Sequence, residues 1–194
     1  DCDPDPADTP PLVDAVDDAS SPEGIAVAVT GSVVDDGAVV TKWTATPGTD
    51  VDSGATCSFA EPSAPSTTVV CTDDGTWTLR LSADDGVNAP VSATVRLDVV
   101  GAAPTAIIVD PPNGVVVPVG IEIGVLVDIE DSGANDTTTC RIDFGDGRAV
   151  TVDVVDGSCS STHVWNTAAT RTIVVTATDD DSLATTTQRS VTVA

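Results

Sequence analysis

Apolar and polar residues alternate with a period of two along most of this chain. Ile25, Val27 and Val29 alternate with small residues, and Val39, Thr41, Trp43 and Ala45 share a face. Trp77, Leu79, Leu81 and Ala83 alternate with Thr76, Thr78, Arg80 and Ser82. A period of two sends one set of side chains to a buried face and the other to water, so these segments predict half-buried β-strands. Val91, Ala93, Val95, Leu97 and Val99 continue the pattern with Ser92, Thr94, Arg96 and Asp98 facing out. Ile121, Ile123, Val125, Val127 and Ile129 are expected to point inward, followed by Val150, Val152 and Val154. No segment carries a convincing helical period, and the expected fold class is all-β.

Breaks in the pattern divide the chain. Residues 1 to 9 are polar, and Pro4 and Pro6 forbid regular structure there, so they read as a tail. A first unit follows from 10 to 100, a Gly-Ala-Ala-Pro linker occupies 101 to 104, and a second unit runs from 105 to 194. The two units repeat one another: residues 75 to 100 lie against 169 to 194 without a gap, setting Leu79 on Ile173, Leu81 on Val175, Ala83 on Ala177 and Val99 on Val193. Lys42 to Gly48 falls on Arg141 to Gly147, with a longer intervening loop in the first unit. Each unit has a common size for an Ig-like sandwich, roughly 90 to 100 residues.

Composition sharpens this picture. Hydrophobic residues make up 41% of the chain but aromatics only 3%, so the cores must be built from Val, Ala, Ile and Leu. Acidic residues number 31 against 7 basic ones, a formal charge of −24, and almost all of them are Asp. Asp favours turns over helix interiors, consistent with short strands joined by tight loops. Such a surface repels nucleic acid and anionic membranes, which excludes both as partners. The charge reads either as solubility, in a salty habitat given the single Lys42, or as divalent-cation binding. The longest apolar stretch, 115 to 127, is too short to span a bilayer and contains Pro118 and Glu122.

Three ordered motifs in the second unit carry a family resemblance. Ile142-Asp143-Phe144-Gly145-Asp146-Gly147 resembles the WDFGDG signature of polycystic-kidney-disease (PKD) domains. Thr162-His163-Val164-Trp165 resembles their THxY element, and Thr176 to Asp181 resembles their TVTDDD. The first unit resembles the looser PKD and receptor-for-egg-jelly pattern, in residues 10 to 18, 30 to 37 and 75 to 86. It departs by having Thr44-Ala45-Thr46-Pro47-Gly48 in place of DFGDG, and Ile142 stands in the second unit where the family has Trp. The resemblance implies two tandem Ig-like β-sandwiches that act as extracellular spacer, adhesion, or protein- and polysaccharide-contact modules.

Five cysteines without CxxC spacing and one histidine give no plausible zinc set, so structural disulfides and an oxidising compartment are expected. Keeping partners inside one repeat pairs Cys57 with Cys71 and Cys140 with Cys159. Cys2 is left over as a candidate for an intermolecular bond. Because the sequence has no Met and starts at Asp1, it reads as a mature exported product.

Candidate chemistry is sparse. His163 has no nucleophile-elbow context, so no catalytic residue is expected. Asp143 to Gly147 reads as a tight turn whose glycines supply positive φ. Asp1, Asp3 and Asp5 open like an EF-hand loop, but Pro6 and Leu12 stand where that loop needs Gly and Glu. In an Ig-like topology the B–C and F–G loops share one end, which gathers Asp128, Glu130, Asp131 and Asp136 near Asp179, Asp180 and Asp181; Asp35, Asp36, Asp84 and Asp85 form a weaker set in the first unit. These groups are either solvated carboxylates or a Ca²⁺ site, for which Asp128, Asp131, Asp179 and Asp181 are the expected ligands. No cofactor is otherwise required.

The function expected is that of a non-enzymatic cell-surface protein for mechanical spacing, adhesion or self-assembly, with a filament subunit as the specific form and other cell-surface proteins or polysaccharide as further partners. The alternative is an ancillary polysaccharide- or protein-binding module of a secreted hydrolase. The tail is expected either to engage a neighbouring subunit or to fold back on its own first unit.

Overall fold

The computed structural model describes residues 8–15 and 17–194. Most of the tail, Cys2 included, lies outside the described residues, so the expectations placed on Cys2 fall there too. Every regular element described is a β-strand, and the chain divides into two compact units, with the boundary between Gly101 and Ala102 and the short segment Gly133–Asn135 grouped with the first.

The first unit contains β1 (Leu12–Ala15), β2 (Ala19–Pro22), β3 (Val27–Val34), β4 (Val40–Pro47), β5 (Cys57–Phe59), β6 (Ser66–Cys71), β7 (Gly75–Asp84) and β8 (Val91–Val100). They form two four-stranded sheets, β1-β3-β6-β5 and β2-β8-β7-β4. The second unit contains β9 (Thr105–Asp110), β10 (Val115–Val117), β11 (Glu122–Glu130), β12 (Thr139–Asp143), β13 (Ala149–Asp153), β14 (Ser158–Val164), β15 (Ala169–Thr178) and β16 (Ala184–Val193). Its sheets are β14-β11-β9 and β10-β16-β15-β12-β13. In both units the first strand is split between the two sheets: β2 pairs in parallel with β8, and β10 in parallel with β16. All other pairings are antiparallel. Two facing sheets with this order are Ig-like β-sandwiches.

The internal repeat is visible in the hydrogen-bond register. Gly75 lies opposite Val99 in the first unit, and Ala169 lies opposite Val193 in the second. Trp43 pairs with Leu81, and Ile142 pairs with Val175 at the matching place. Each unit closes over its own core. One is built on Val29, Trp43, Val69, Trp77, Leu79, Leu81, Val95, Leu97 and Val99. The other is built on Ile108, Val125, Val127, Ile129, Ile142, Phe144, Trp165, Ile173, Val175, Val191 and Val193.

Two residues depart from the alternating pattern. Ile25 and Ile121, expected inward, are 53% and 54% exposed. Both follow a positive-φ glycine, Gly24 and Gly120, and both donate their N–H back into a turn, to Pro22 O and Pro118 O respectively. The chain has not yet entered the ladder at either point, so period-two alternation does not govern these side chains.

Candidate functional site

Two places in the second unit concentrate polar chemistry. The first is the turn from β12 to β13. Asp143 Oδ1 accepts the N–H of Gly145 at 2.9 Å and Asp146 Oδ1 accepts that of Arg148 at 3.1 Å, which fixes the turn from within. Gly145 has φ of +72°, and a Cβ there would lie 2.5 Å from the carbonyl oxygen of Thr172, so only glycine fits. The turn projects Phe144 onto the imidazole of His163, stacked with ring centroids 4.1 Å apart, and the indole N–H of Trp165 donates to Phe144 O at 3.1 Å.

His163 Nε2 lies 2.8 Å from Asp146 Oδ2, with the two side chains 9% and 18% exposed. Burial works against the Asp146 charge, but the hydrogen bond from His163, the Arg148 N–H and the positive charges of His163 and Arg171 outweigh it and hold the carboxyl below its usual range. The histidine is thus packed under one ring, edge-on to Trp165, and tied to a carboxylate that belongs to a turn. This arrangement clamps β14 to the β12–β13 turn.

The second place is the end of the sandwich where the loop 131–138 meets the loop from β15 to β16. Asp136, Asp180 and Asp181 each present a carboxylate oxygen, all within 4.8 Å of one another. Asp180 accepts both the N–H and the hydroxyl of Thr137, at 3.1 and 3.0 Å, and Asp131 Oδ2 accepts the hydroxyl of Thr138 at 2.9 Å. Asp179 is buried, and its Oδ1 accepts the N–H of Leu183 at 2.7 Å, closing the turn that starts β16. Burial, together with the negative charges of Asp131 and Asp180, pushes the Asp179 carboxyl above its usual range against the opposing backbone hydrogen bonds. A cavity of about 430 Å³ opens beside Asp131, Asp136 and Thr137.

Of the four carboxylates expected as cation ligands, Asp131, Asp179 and Asp181 belong to these two loops. Asp128 stands on the exposed outer face of β11, opposite Ser158 and Ile107. Asp136 and Asp180, outside the four, are in the group, and the signal for them in sequence is their place in the same two loops. The first unit's acidic loops are used differently. Asp84 caps the N–H of Gly86, while Asp85 takes the N–H groups of Val87 and Asn88 and the Asn88 amide. Tail residues Asp8 and Thr9 also bond there, Asp8 to the Asn88 amide at 2.7 Å and Thr9 to Asp36 at 3.3 Å.

Both disulfides expected from the repeat are formed, Cys57–Cys71 and Cys140–Cys159. They are not equivalent in place. Cys57 and Cys71 are direct cross-strand neighbours on β5 and β6, whereas Cys140 on β12 and Cys159 on β14 join the two sheets of the second sandwich.

The fold is therefore that of tandem Ig-like sandwiches. No family model matches the sequence, and no curated protein matches it. Among solved structures, fibronectin(III)-like modules of Clostridium thermocellum CbhA are similar at 17% identity over 94% of this chain and 93% of that one, with a TM-score of 0.39. The PKD domain of an M14-like peptidase from Thermoplasmatales archaeon SCGC AB-540-F20 is similar at 18% identity over 47% of this chain and 92% of that one, with a TM-score of 0.36. The insect immune protein hemolin is similar at 15% identity over 96% of this chain and 46% of that one, with a TM-score of 0.44. The Ig-like assignment rests on the strand order and register above. Among the described residues no helix is long and apolar enough to cross a membrane.

Proposed function

We infer that this chain is a non-enzymatic, extracellular module whose work is mechanical: two disulfide-pinned sandwiches that space or join other components at a cell surface. The observation that carries this reading is the use made of the single histidine. His163 is sandwiched against Phe144 and bound to Asp146, so its packing and hydrogen bonding serve the turn. Paired cysteines in both units fit an oxidising compartment outside the cytosol.

The specific form we propose is a subunit that associates with further copies through the tail that contains Cys2. An odd cysteine suits an intermolecular bond, and a head-to-tail contact repeats without closing, which builds a filament. Negative-stain microscopy and light scattering on the full chain, beside a variant lacking residues 1 to 9, test it. Polymers from the full chain and none from the variant are expected. Equal monomers at high concentration would sink the filament, while leaving the spacer reading intact.

A polysaccharide-binding module is the second reading, and the tryptophans speak against it. Carbohydrate platforms present exposed aromatic faces, yet Trp43, Trp77 and Trp165 are all fully buried. Pull-down on insoluble polysaccharides, with retention of the chain, would restore that reading.

A further inference from the structure

The first unit has three basic residues, Lys42, Arg80 and Arg96, and all three lie on one surface. They stand on the outer face of the sheet β2-β8-β7-β4, whose inner face sends Trp43, Leu79, Leu81, Val95 and Leu97 into the core. The register sets them in a line. Lys42 lies opposite Ser82, two residues from Arg80, and Arg80 lies opposite Thr94, two residues from Arg96. Each step is a cross-strand diagonal, so the cations follow one another at about 7–8 Å. Thr44 and Thr94 flank Arg80, and Ser82 lies beside Lys42, so hydroxyls fill the gaps. Of the acids on β4, β7 and β8, Asp98 is bound to Arg96 at 2.6 Å and Asp84 caps the N–H of Gly86. Among the described residues neither Lys42 nor Arg80 forms an ion pair. In a chain of formal charge −24, two exposed and unpaired cations on one sheet face invite an anionic partner.

The geometry points to this face as the docking surface for the acidic tail of a neighbouring copy, an inference that rests on the reading that the tail joins copies. Asp1, Asp3 and Asp5 alternate in the sequence. In an extended segment alternate side chains share a side and repeat at about 6.6 Å, close to the spacing of the cations. The tail's own copy is the poorer acceptor. Asp8 bonds to Asn88 and Thr9 to Asp36, so the tail is rooted at the end of the unit that carries Asp35, Asp36, Asp84 and Asp85. Asp84 also stands at that end of the outer face, opposite Val40 and ahead of Lys42. A tail turning back on its own face has to pass these carboxylates, whereas a tail from another copy can enter from the Arg96 side.

A fluorescent peptide of residues 1 to 9 carrying Cys2→Ser, titrated with the full chain, tests the face by anisotropy, and light scattering on the same chains reads polymers. The titration is run at about 0.01 M NaCl, where screening reaches only beyond about 30 Å. Wild type is expected to bind the peptide. The double variant Lys42→Gln/Arg80→Gln should bind it at least about fivefold more weakly, the upper worth of one exposed ion pair, and should scatter less. Arg148→Gln, which removes a charge from the β12–β13 turn of the second unit, should bind as wild type does. All three side chains are exposed, so the variants should fold, and melting curves check that they do. The proposal fails if the double variant binds as wild type does, if Arg148→Gln weakens binding as much, as general attraction would, or if wild type does not bind. Polymers that still depend on residues 1 to 9 would then keep the tail reading and move its acceptor elsewhere. A wild type that binds the peptide through Lys42 and Arg80 yet stays monomeric would put each tail on its own face, which also overturns the contact between copies.

Discussion

Asp146 and Asp179 lie in one small sandwich and have opposite effects on stability. The Asp146 carboxyl is held below its ordinary range, so its interactions stabilise the fold above the unfolded value near 4, and that stability is lost as pH falls through the folded value. The Asp179 carboxyl is raised, so its ionised form opposes folding at neutral pH, and the penalty is relieved as pH falls through the folded value. Urea unfolding between neutral pH and about pH 3 separates the two. Asp146→Asn should cost about 1.5–3 kcal/mol at neutral pH, where wild type has a charge-assisted bond to His163, and should approach wild type in acid. A constant difference across the range would assign the loss to packing instead. Core residues follow a simpler rule. Leu81, fully buried opposite Trp43, should cost about 2–5 kcal/mol as Leu81→Ala, read as a lowered urea midpoint with unchanged slope.

At the scale of elements, the β12–β13 turn and the disulfides show how one residue constrains a strand. Gly145→Ala would demand positive φ of a side chain that also meets the Thr172 carbonyl, and it sits on the turn that carries Phe144 to His163. We expect a loss of about 1–3 kcal/mol, whereas Gly147→Ala, with open space around its Cβ, should lose less. Melting curves of the two variants rank them directly. The two disulfides should also differ when removed. Cys57 and Cys71 already face each other across a hydrogen-bonded strand pair and only Cys71 is buried, so replacing both with Ala removes the cross-link and opens a smaller cavity. Cys140 and Cys159 are fully buried between sheets, so the same change removes a loop constraint worth about 3 kcal/mol and leaves a cavity as well. The double variant at 140 and 159 should therefore melt lower than the one at 57 and 71.

At the scale of the whole molecule, a formal charge of −24 on 194 residues means that the folded chain repels itself. Salt shortens the reach of that repulsion, from about 30 Å at 0.01 M to about 3 Å at 1 M, so the melting temperature should climb with NaCl across that range. A flat response would mean that the carboxylates are already neutralised locally by bound counterions. The alternation of apolar and polar residues determined by itself that the chain is all-β, that it contains two repeats, and which faces of β7, β8, β11 and β15 are buried, because a period of two admits one burial pattern per strand. The repeat, together with the cysteine positions, also determined the disulfide partners. What only the tertiary structure decided are features set by where loops arrive: that Ile25 and Ile121 stay outside their ladders, that Cys140 and Cys159 bridge sheets while Cys57 and Cys71 do not, and that Asp179 is buried beside Asp131 and Asp180 while Asp128 faces water. A carboxylate's burial and neighbours depend on which loops the sandwich brings to one end, and residues 131 and 179 are close only because the strands between them fold back on one another.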